Sequence, residues 1–474
     1  MPGPNSADPD WSRDRLDETA RRICDPDRIR DLLASSTPVS ADALDTILRE
    51  ARKLNGISPE AVAALIQITD PALRATVLAA AKRLHAQVHG GRVGVSAPVC
   101  PSNRCVNDCL YCPLRRSNTR LRRNASGPRE LQREITGLLD EGFRHITLVF
   151  GEDRSGVAYV RDMIQAAFGT RSGARHIQRL ELNLNPMPVA DLRALKEAAR
   201  LGTYHVYQET YDPAIYAALH HDGPKADYAW RLTCHDRAHE AGLTDVGLGV
   251  LLGAGDMAFD VVALHDHAEY LTDTFGLPPH SITYPRMISA TGAEEAGEIS
   301  DDDFVYTVAV TRLAFPYCNI VLCTPAVRDT RLLLYSHGIS QVAVGSNSYP
   351  GVYTAGGDPD AAGALSIGRP RALENLVYLM CDAGVVPNLC MACYAQRRKQ
   401  TVFCSGDKTE THKRCAPNAL LALKEYLMDY ASPETQKVGG RLIQNELAHL
   451  SDDVRALALE LMEEAEAGLR GQML

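Results

Sequence analysis

Eight short apolar runs, each followed by an amphipathic stretch, recur between Val95 and Ser346. The runs are VSAPVC, HITLVFG, IQRLELNL, TYHVYQ, DVGLGVLLG, HSITYP, CNIVLC and SQVAVGS. The helical candidates between them are PRELQREITGLLDEG, GVAYVRDMIQAAFG, VADLRALKEAARLG, AWRLTCHDRAHEAG, FDVVALHDHAEYL, DDFVYTVAVTRLAF and VRDTRLLLYSHG. Strands that alternate with helices pair in parallel, because each crossover returns the chain to the same end of the sheet. Eight such units favour closure into a TIM-type (βα)8 barrel over an open doubly wound sheet, which is the alternative.

The flanks read as helical. Residues 1–14 are expected to lack regular structure, and 15–95 to form a helical extension. Leu44, Ile47 and Leu48 have helix spacing, and Ser58-Pro59-Glu60 is a good helix start, with a break at Pro71. The barrel is assigned to 96–370 and a mostly helical C-terminal domain to 371–474. The net charge is −9 and no polybasic tail is present, so nothing favours nucleic acid as a partner. The start MPGPNSADPDWSRDRLDE lacks an apolar signal core, and no uncharged apolar run reaches the roughly 20 residues of a membrane span. A cytoplasmic location without membrane association is the expectation.

Thirteen cysteines redirect the analysis. In a reducing compartment, clustered cysteines read as metal ligands rather than disulfides. Cys105, Cys109 and Cys112 form C-x3-C-x2-C directly after the first strand. A structural zinc site needs four ligands, and here the fourth would have to be remote. A 4Fe-4S cluster held by three thiolates leaves one iron open, as reductive cleavage of S-adenosylmethionine (SAM) requires. Tyr111 would pack near the adenine. Gly151, Glu152 and Asp153 after strand two are candidates for the SAM ammonium group, and Gln208 and Glu209 after strand four for its ribose or methionine part. Arg231 would pair with its carboxylate, and Gly247 and Gly249 would let the adenine approach the backbone.

The second group, PNLCMACYAQRRKQTVFCSGDKTETHKRC, holds Cys390, Cys393, Cys404 and Cys415. No second close pair completes a zinc pattern. A second 4Fe-4S cluster on Cys390, Cys393 and Cys415 is expected, with Cys404 as a loop cysteine.

The stretches CVNDCLYC, YQETYDP, DGPKADYAWRL, DRAHEAG, HSITYPR, CMACY and CAPNALLALKEYLMDYA resemble the HydG family of radical SAM tyrosine lyases, after about residue 40. That resemblance implies reductive SAM cleavage to a 5′-deoxyadenosyl radical, hydrogen abstraction from the substrate amine and Cα–Cβ cleavage. In true HydG proteins L-tyrosine gives p-cresol, carbon monoxide and cyanide for FeFe-hydrogenase assembly. It also implies a reductant such as ferredoxin or flavodoxin, maturation partner proteins, and an extra iron on the auxiliary cluster held by a histidine. The matching residue is His280, placed at the end of strand six. The chain departs from the family where the substrate carboxylate is held. A Ser-Thr-Arg stretch is replaced by Cys323-Thr324-Pro325, and a second arginine by Asn347. Arg286 and Arg328 are the cations that would substitute. These departures raise a second reading, the same fold acting on another amino acid. A third reading is a non-catalytic iron–sulfur carrier, against which the SAM-site residues argue.

Overall fold

Repeated Ser or Asp caps, three of them followed by proline, start the N-terminal helices. Ser12, Asp25, Ser40, Ser58 and Asp70 each accept a backbone N–H at the head of Arg13–Ile23, Pro26–Ser35, Ala41–Ala51, Pro59–Ile66 and Pro71–His89. The computed structural model describes residues 10–36, 38–153, 155–287, 299–323, 327–347, 349–353, 366–367, 373–391 and 408–472. Pro325, Cys393 and Cys404 lie outside the described residues. Two expectations for this region are corrected. Order begins before residue 15, because Trp11 is 2% exposed and its indole N–H donates to Glu240 at 3.0 Å. The helical region ends at His89, where Gly90 takes a left-handed cap, and the first strand starts at Arg92 rather than after residue 95.

The barrel strands are β1 (Arg92–Ser102), β2 (His145–Phe150), β3 (Arg179–Asn183), β4 (Tyr204–His205), β5 (Val246–Gly249), β6 (Ser281–Thr283), β7 (Asn319–Leu322) and β8 (Gln341–Ala343). Every pairing around the ring is parallel. Gly94–Ser96 of β1 closes against Gln341–Ala343 of β8, so the sheet is a closed TIM-type barrel. The sequence did not suggest a ninth strand, β9 (Val386–Asn388), which adds in parallel to the start of β1. β4 and β6 are shorter than the apolar runs implied. Helices including Pro128–Asp140, Gly156–Gly169, Met257–Phe275, Asp301–Ala314 and Arg328–His337 surround the ring. The chain ends in the helices Lys408–Asp429, Pro433–Ala448 and Asp452–Glu466. Among the described residues, no helix is long and apolar enough to cross a membrane.

Period-two alternation sends Arg179, Glu181 and Asn183 of β3 to one face. That face is the inside of the barrel. Glu181 is 1% exposed and pairs with Arg179 and with His145 at 3.2 Å. Its other oxygen accepts from Thr147 at 3.1 Å and meets His205 at 3.2 Å. The barrel therefore has a polar core where apolar layers are usual.

Candidate functional site

Cys105, Cys109 and Cys112 lie on the loop that leaves the C-terminal end of β1. Asn107, inside the same motif, holds this loop to its neighbours. Its side-chain amide donates to Glu152 at 2.7 Å and lies 3.8 Å from the Cys105 sulfur, and its oxygen accepts the Lys225 backbone N–H at 2.8 Å. Gly151 must be glycine, because a Cβ there would stand 2.3 Å from the Arg104 carbonyl oxygen. Burial raises the Cys109 thiol and pushes Cys112 up to about 12, and the neighbouring cysteines add to both shifts. Three thiols gathered on one loop, two of them disfavoured as thiolates by burial and by their neighbours, are a donor set suited to a strongly positive centre. That fits an iron–sulfur cluster.

Asp153 accepts from the Ser102 hydroxyl at 3.1 Å and from the Ser155 N–H at 2.6 Å. Glu209 has φ +73°, a strained value for a residue with a Cβ, and its carboxylate accepts from Lys225 Nζ at 2.6 Å. Lys225 also donates to the Tyr111 hydroxyl at 2.9 Å. That hydroxyl lies 2.9 Å from His220 Nε2, whose Nδ1–H donates to the Tyr216 carbonyl at 2.9 Å. Burial, then Lys225, pushes His220 down to about 2, so it is neutral and accepts from Tyr111. Arg231 donates through Nε to the Tyr207 carbonyl at 2.7 Å and stands 3.5 Å from Glu209. Gln208 is 4% exposed, and its Nε2 has no hydrogen-bond partner among the described residues. The suggested role of Gly247 and Gly249 is corrected. A Cβ at either would stand 2.3 Å from the His205 or Tyr207 ring, so these side chains, not an adenine, take the space.

Below the cysteine loop a cavity of about 280 Å³ enters the barrel. Tyr111, Cys112, Glu209, Arg286 and Cys323 line it, and Ser96, Glu181, His205 and Gln341 also contribute to its wall. Between them the lining is largely apolar, with Pro98, Val149, Leu251, Pro285 and Val321. Ser96 is 1% exposed, and its hydroxyl has no partner among the described residues. The two substitute cations separate. Arg286 lines the cavity and pairs with Asp301, whereas Arg328 is 57% exposed and pairs with Asp382 at 3.2 Å, away from it. Asn347 is placed by its backbone in a short strand paired with Ser366–Ile367.

Of the second cysteine group, Cys390 and Cys415 are described, and they lie toward the opposite mouth. Cys390 follows β9, and Cys390 and Cys415 both act electrostatically on the half-buried Arg92 at the start of β1. The placement of His280 is reversed. It stands immediately before β6, at the N-terminal mouth, because the strand runs from Ser281 to Thr283. Its Nε2 accepts from Arg179 at 2.9 Å and from Asn319 at 3.0 Å, and burial pushes it down to about 4.

Residues 99–268 match the model of the Radical SAM superfamily, and 283–386 that of the Biotin and Thiamin Synthesis associated domain. The chain is 32% identical over 280 residues to 2-iminoacetate synthase of Escherichia coli (strain K12), covering 58% of this chain and 71% of that protein. Its fold is similar to a crystal structure of HydG, a maturase of the FeFe-hydrogenase, at 32% identity and TM-score 0.86, over 95% of this chain and 99% of that one. The chain belongs to the family of 2-iminoacetate synthase and HydG. The HydG structure from Carboxydothermus hydrogenoformans is similar at 27% identity and TM-score 0.81, over 94% of this chain and 99% of that one.

As a radical SAM protein of the HydG and 2-iminoacetate synthase family, the chain uses SAM and a 4Fe-4S cluster. In this family member Cys105, Cys109 and Cys112 are the residues at the barrel mouth that would hold that cluster. Sequence reasoning missed Asn107, Lys225 and His220, which knit the loop together. Asn107 was visible inside CVNDC, but Lys225 lies 114 residues from Tyr111, and no local pattern joins them.

Proposed function

We propose that this protein is a radical SAM carbon–carbon lyase acting on an aromatic amino acid, related to HydG in chemistry and altered in how it holds its substrate. The observation that carries this reading is Arg286, a cation lining the cavity directly below the cysteine loop. When bound, the cluster and SAM supply the one-electron chemistry that starts the reaction. The protein's own residues position what reacts. Arg286 takes the substrate carboxylate, since a buried carboxylate needs a charged, fork-shaped partner. The apolar waist of the cavity takes a ring, and Ser96 offers a hydrogen bond to a polar group on the side chain. Lys225 and Arg231 hold Glu209 toward the cavity beside Tyr111. The largely apolar wall of the cavity disfavours water beside the reacting atoms.

Cys390, Cys415 and, by its position in the motif, Cys393 would hold the auxiliary cluster, and His280 at the same mouth would serve an extra iron. Its Nε2 would first have to leave Arg179 and Asn319. A second reading, a true HydG, is favoured by the length over which the HydG structure matches. The test is anaerobic reconstitution, then incubation with SAM, dithionite and a panel of amino acids, with 5′-deoxyadenosine and cleavage products quantified. Substrate-dependent 5′-deoxyadenosine with little p-cresol from L-tyrosine supports the altered substrate. Stoichiometric p-cresol with carbon monoxide and cyanide establishes the HydG reading. No substrate-dependent cleavage with any amino acid overturns both.

A further inference from the structure

Outside the barrel mouth, one side-chain cluster has an electrostatic arrangement the fold does not explain. His265, Asp266 and Glu269 lie on the helix Met257–Phe275, and a donor atom of each falls within 4.8 Å of the others. His265 is 2% exposed, and its Nε2 lies 2.8 Å from the Ile57 carbonyl oxygen. A carbonyl only accepts, so Nε2 carries the proton and Nδ1 presents a bare lone pair. Among the described residues Nδ1 has no hydrogen-bond partner, and it faces Glu269 Oε2 at 3.9 Å.

Two acceptors therefore face each other, with no donor between them among the described residues. Asp266 adds a second carboxylate, whose one cationic partner among the described contacts, Arg28, engages it from the N-terminal layer. Asp266, Asp273 and Glu60 deepen the negative potential at Glu269, and Arg28 offsets part of it. The Nε2–H···O=C bond is the arrangement that fixes a ligating histidine's ring and tautomer. It also ties the ring to the turn before Pro59–Ile66. Gly56 in that turn stands so close to Ala314 that a Cβ would lie 2.6 Å from its carbonyl oxygen, so the turn is firmly seated.

We propose that His265, Asp266 and Glu269 form a binding site for a divalent first-row transition-metal ion, separate from both iron–sulfur sites. One imidazole and two carboxylates suit Mn²⁺, Fe²⁺ or Zn²⁺. Glu269, about half exposed, has the freedom to close on an ion. The ion would fasten the N-terminal helices to the barrel wall without touching substrate.

The competing arrangement is a proton in place of the ion. Burial and the acidic neighbours raise Glu269 to about 7, so a protonated Glu269 could donate to Nδ1. The experiment uses the cluster-replete holoenzyme and Mn²⁺, which has little affinity for thiolates. Binding is counted anaerobically from the loss of the free-ion EPR signal. The expected result is one saturable Mn²⁺ per chain, weakened at least about tenfold by Glu269→Gln, with Mn²⁺ raising the unfolding temperature of the wild type only. Glu269 is on the surface, so Glu269→Gln remains informative if His265→Gln fails to fold. Absence of saturable binding in the wild type overturns the proposal. Equal affinity in Glu269→Gln also overturns it, as does a metal-independent change in unfolding temperature alone, which would identify the shared proton.

Discussion

Arg286 and Arg328 can each be offered as the partner of a substrate carboxylate, and their surroundings predict opposite outcomes. The Arg286 side chain is 15% exposed at the cavity wall, and its partner Asp301 is 42% exposed. Replacing Arg286 with Gln leaves Asp301 close to water, so the cost to folding is small. The cost to catalysis is large, because the carboxylate loses a desolvated, charge-assisted pair worth roughly 2–5 kcal/mol. At 1.4 kcal/mol per tenfold, that is a fall of roughly 30- to 4,000-fold in kcat/KM. The Arg328–Asp382 pair is 57% and 42% exposed, where ion pairs contribute about 0–1 kcal/mol, so Arg328→Gln should leave kcat/KM within a factor of about two. The assay is 5′-deoxyadenosine formation by the reconstituted enzyme with its best amino acid and with the corresponding amine, which lacks the carboxylate. Arg286→Gln should damage turnover of the amino acid far more than that of the amine. Equal losses on both substrates, or a loss confined to Arg328→Gln, would refute the assignment.

Alanine at Cys105, Cys109 and Cys112 together should abolish SAM cleavage while leaving the iron of the second site in place, as read by anaerobic iron counting. Among the described ion pairs, Lys225→Met leaves the buried Glu209 with Arg231 at 3.5 Å, which should lower the unfolding temperature and weaken SAM binding in equilibrium dialysis. Adding Glu209→Gln should recover most of the stability, about 1–3 kcal/mol, because the orphaned charge is removed. Asp260 is buried, accepts from the Tyr211 N–H and the Thr210 hydroxyl, and is raised to about 7 chiefly by burial. A raised carboxyl favours the folded state below its ordinary range near 4 and loses that contribution as pH rises through about 7. Asp260→Asn should therefore flatten the decline in unfolding temperature between those values, and an unchanged pH profile would count against the shift.

The alternation of strand and helix was legible because barrel strands are apolar on their outer faces and the helices between them are amphipathic. The cysteine triad was legible because its spacing is local. What stayed hidden depends on partners distant in sequence. Glu181 and Arg179 read naturally as an outward polar face, since alternation tells which residues share a side and not which side is inside. Lys225 follows a glycine turn and looks like a surface lysine until Tyr111 and Glu209 are brought to it. Three residues, Val386–Asn388, are too few to announce a strand. His280 was legible as chemistry, but its end of the strand depends on where the hydrogen-bonded ladder begins.

β1 begins at Arg92, against β9 and within electrostatic reach of Cys390 and Cys415, and ends in the loop of Cys105. Eleven residues at about 3.3 Å each make it a ruler of roughly 36 Å between the two mouths. Both centres are thus referenced to one ladder. A slip of a single residue would turn Ser96 and Pro98 out of the cavity, shift the Gly94–Gln341 closure and pull Arg92 from its cysteines in the same movement. The two ends of the barrel therefore share one register. A change in this strand that suits one mouth is felt at the other.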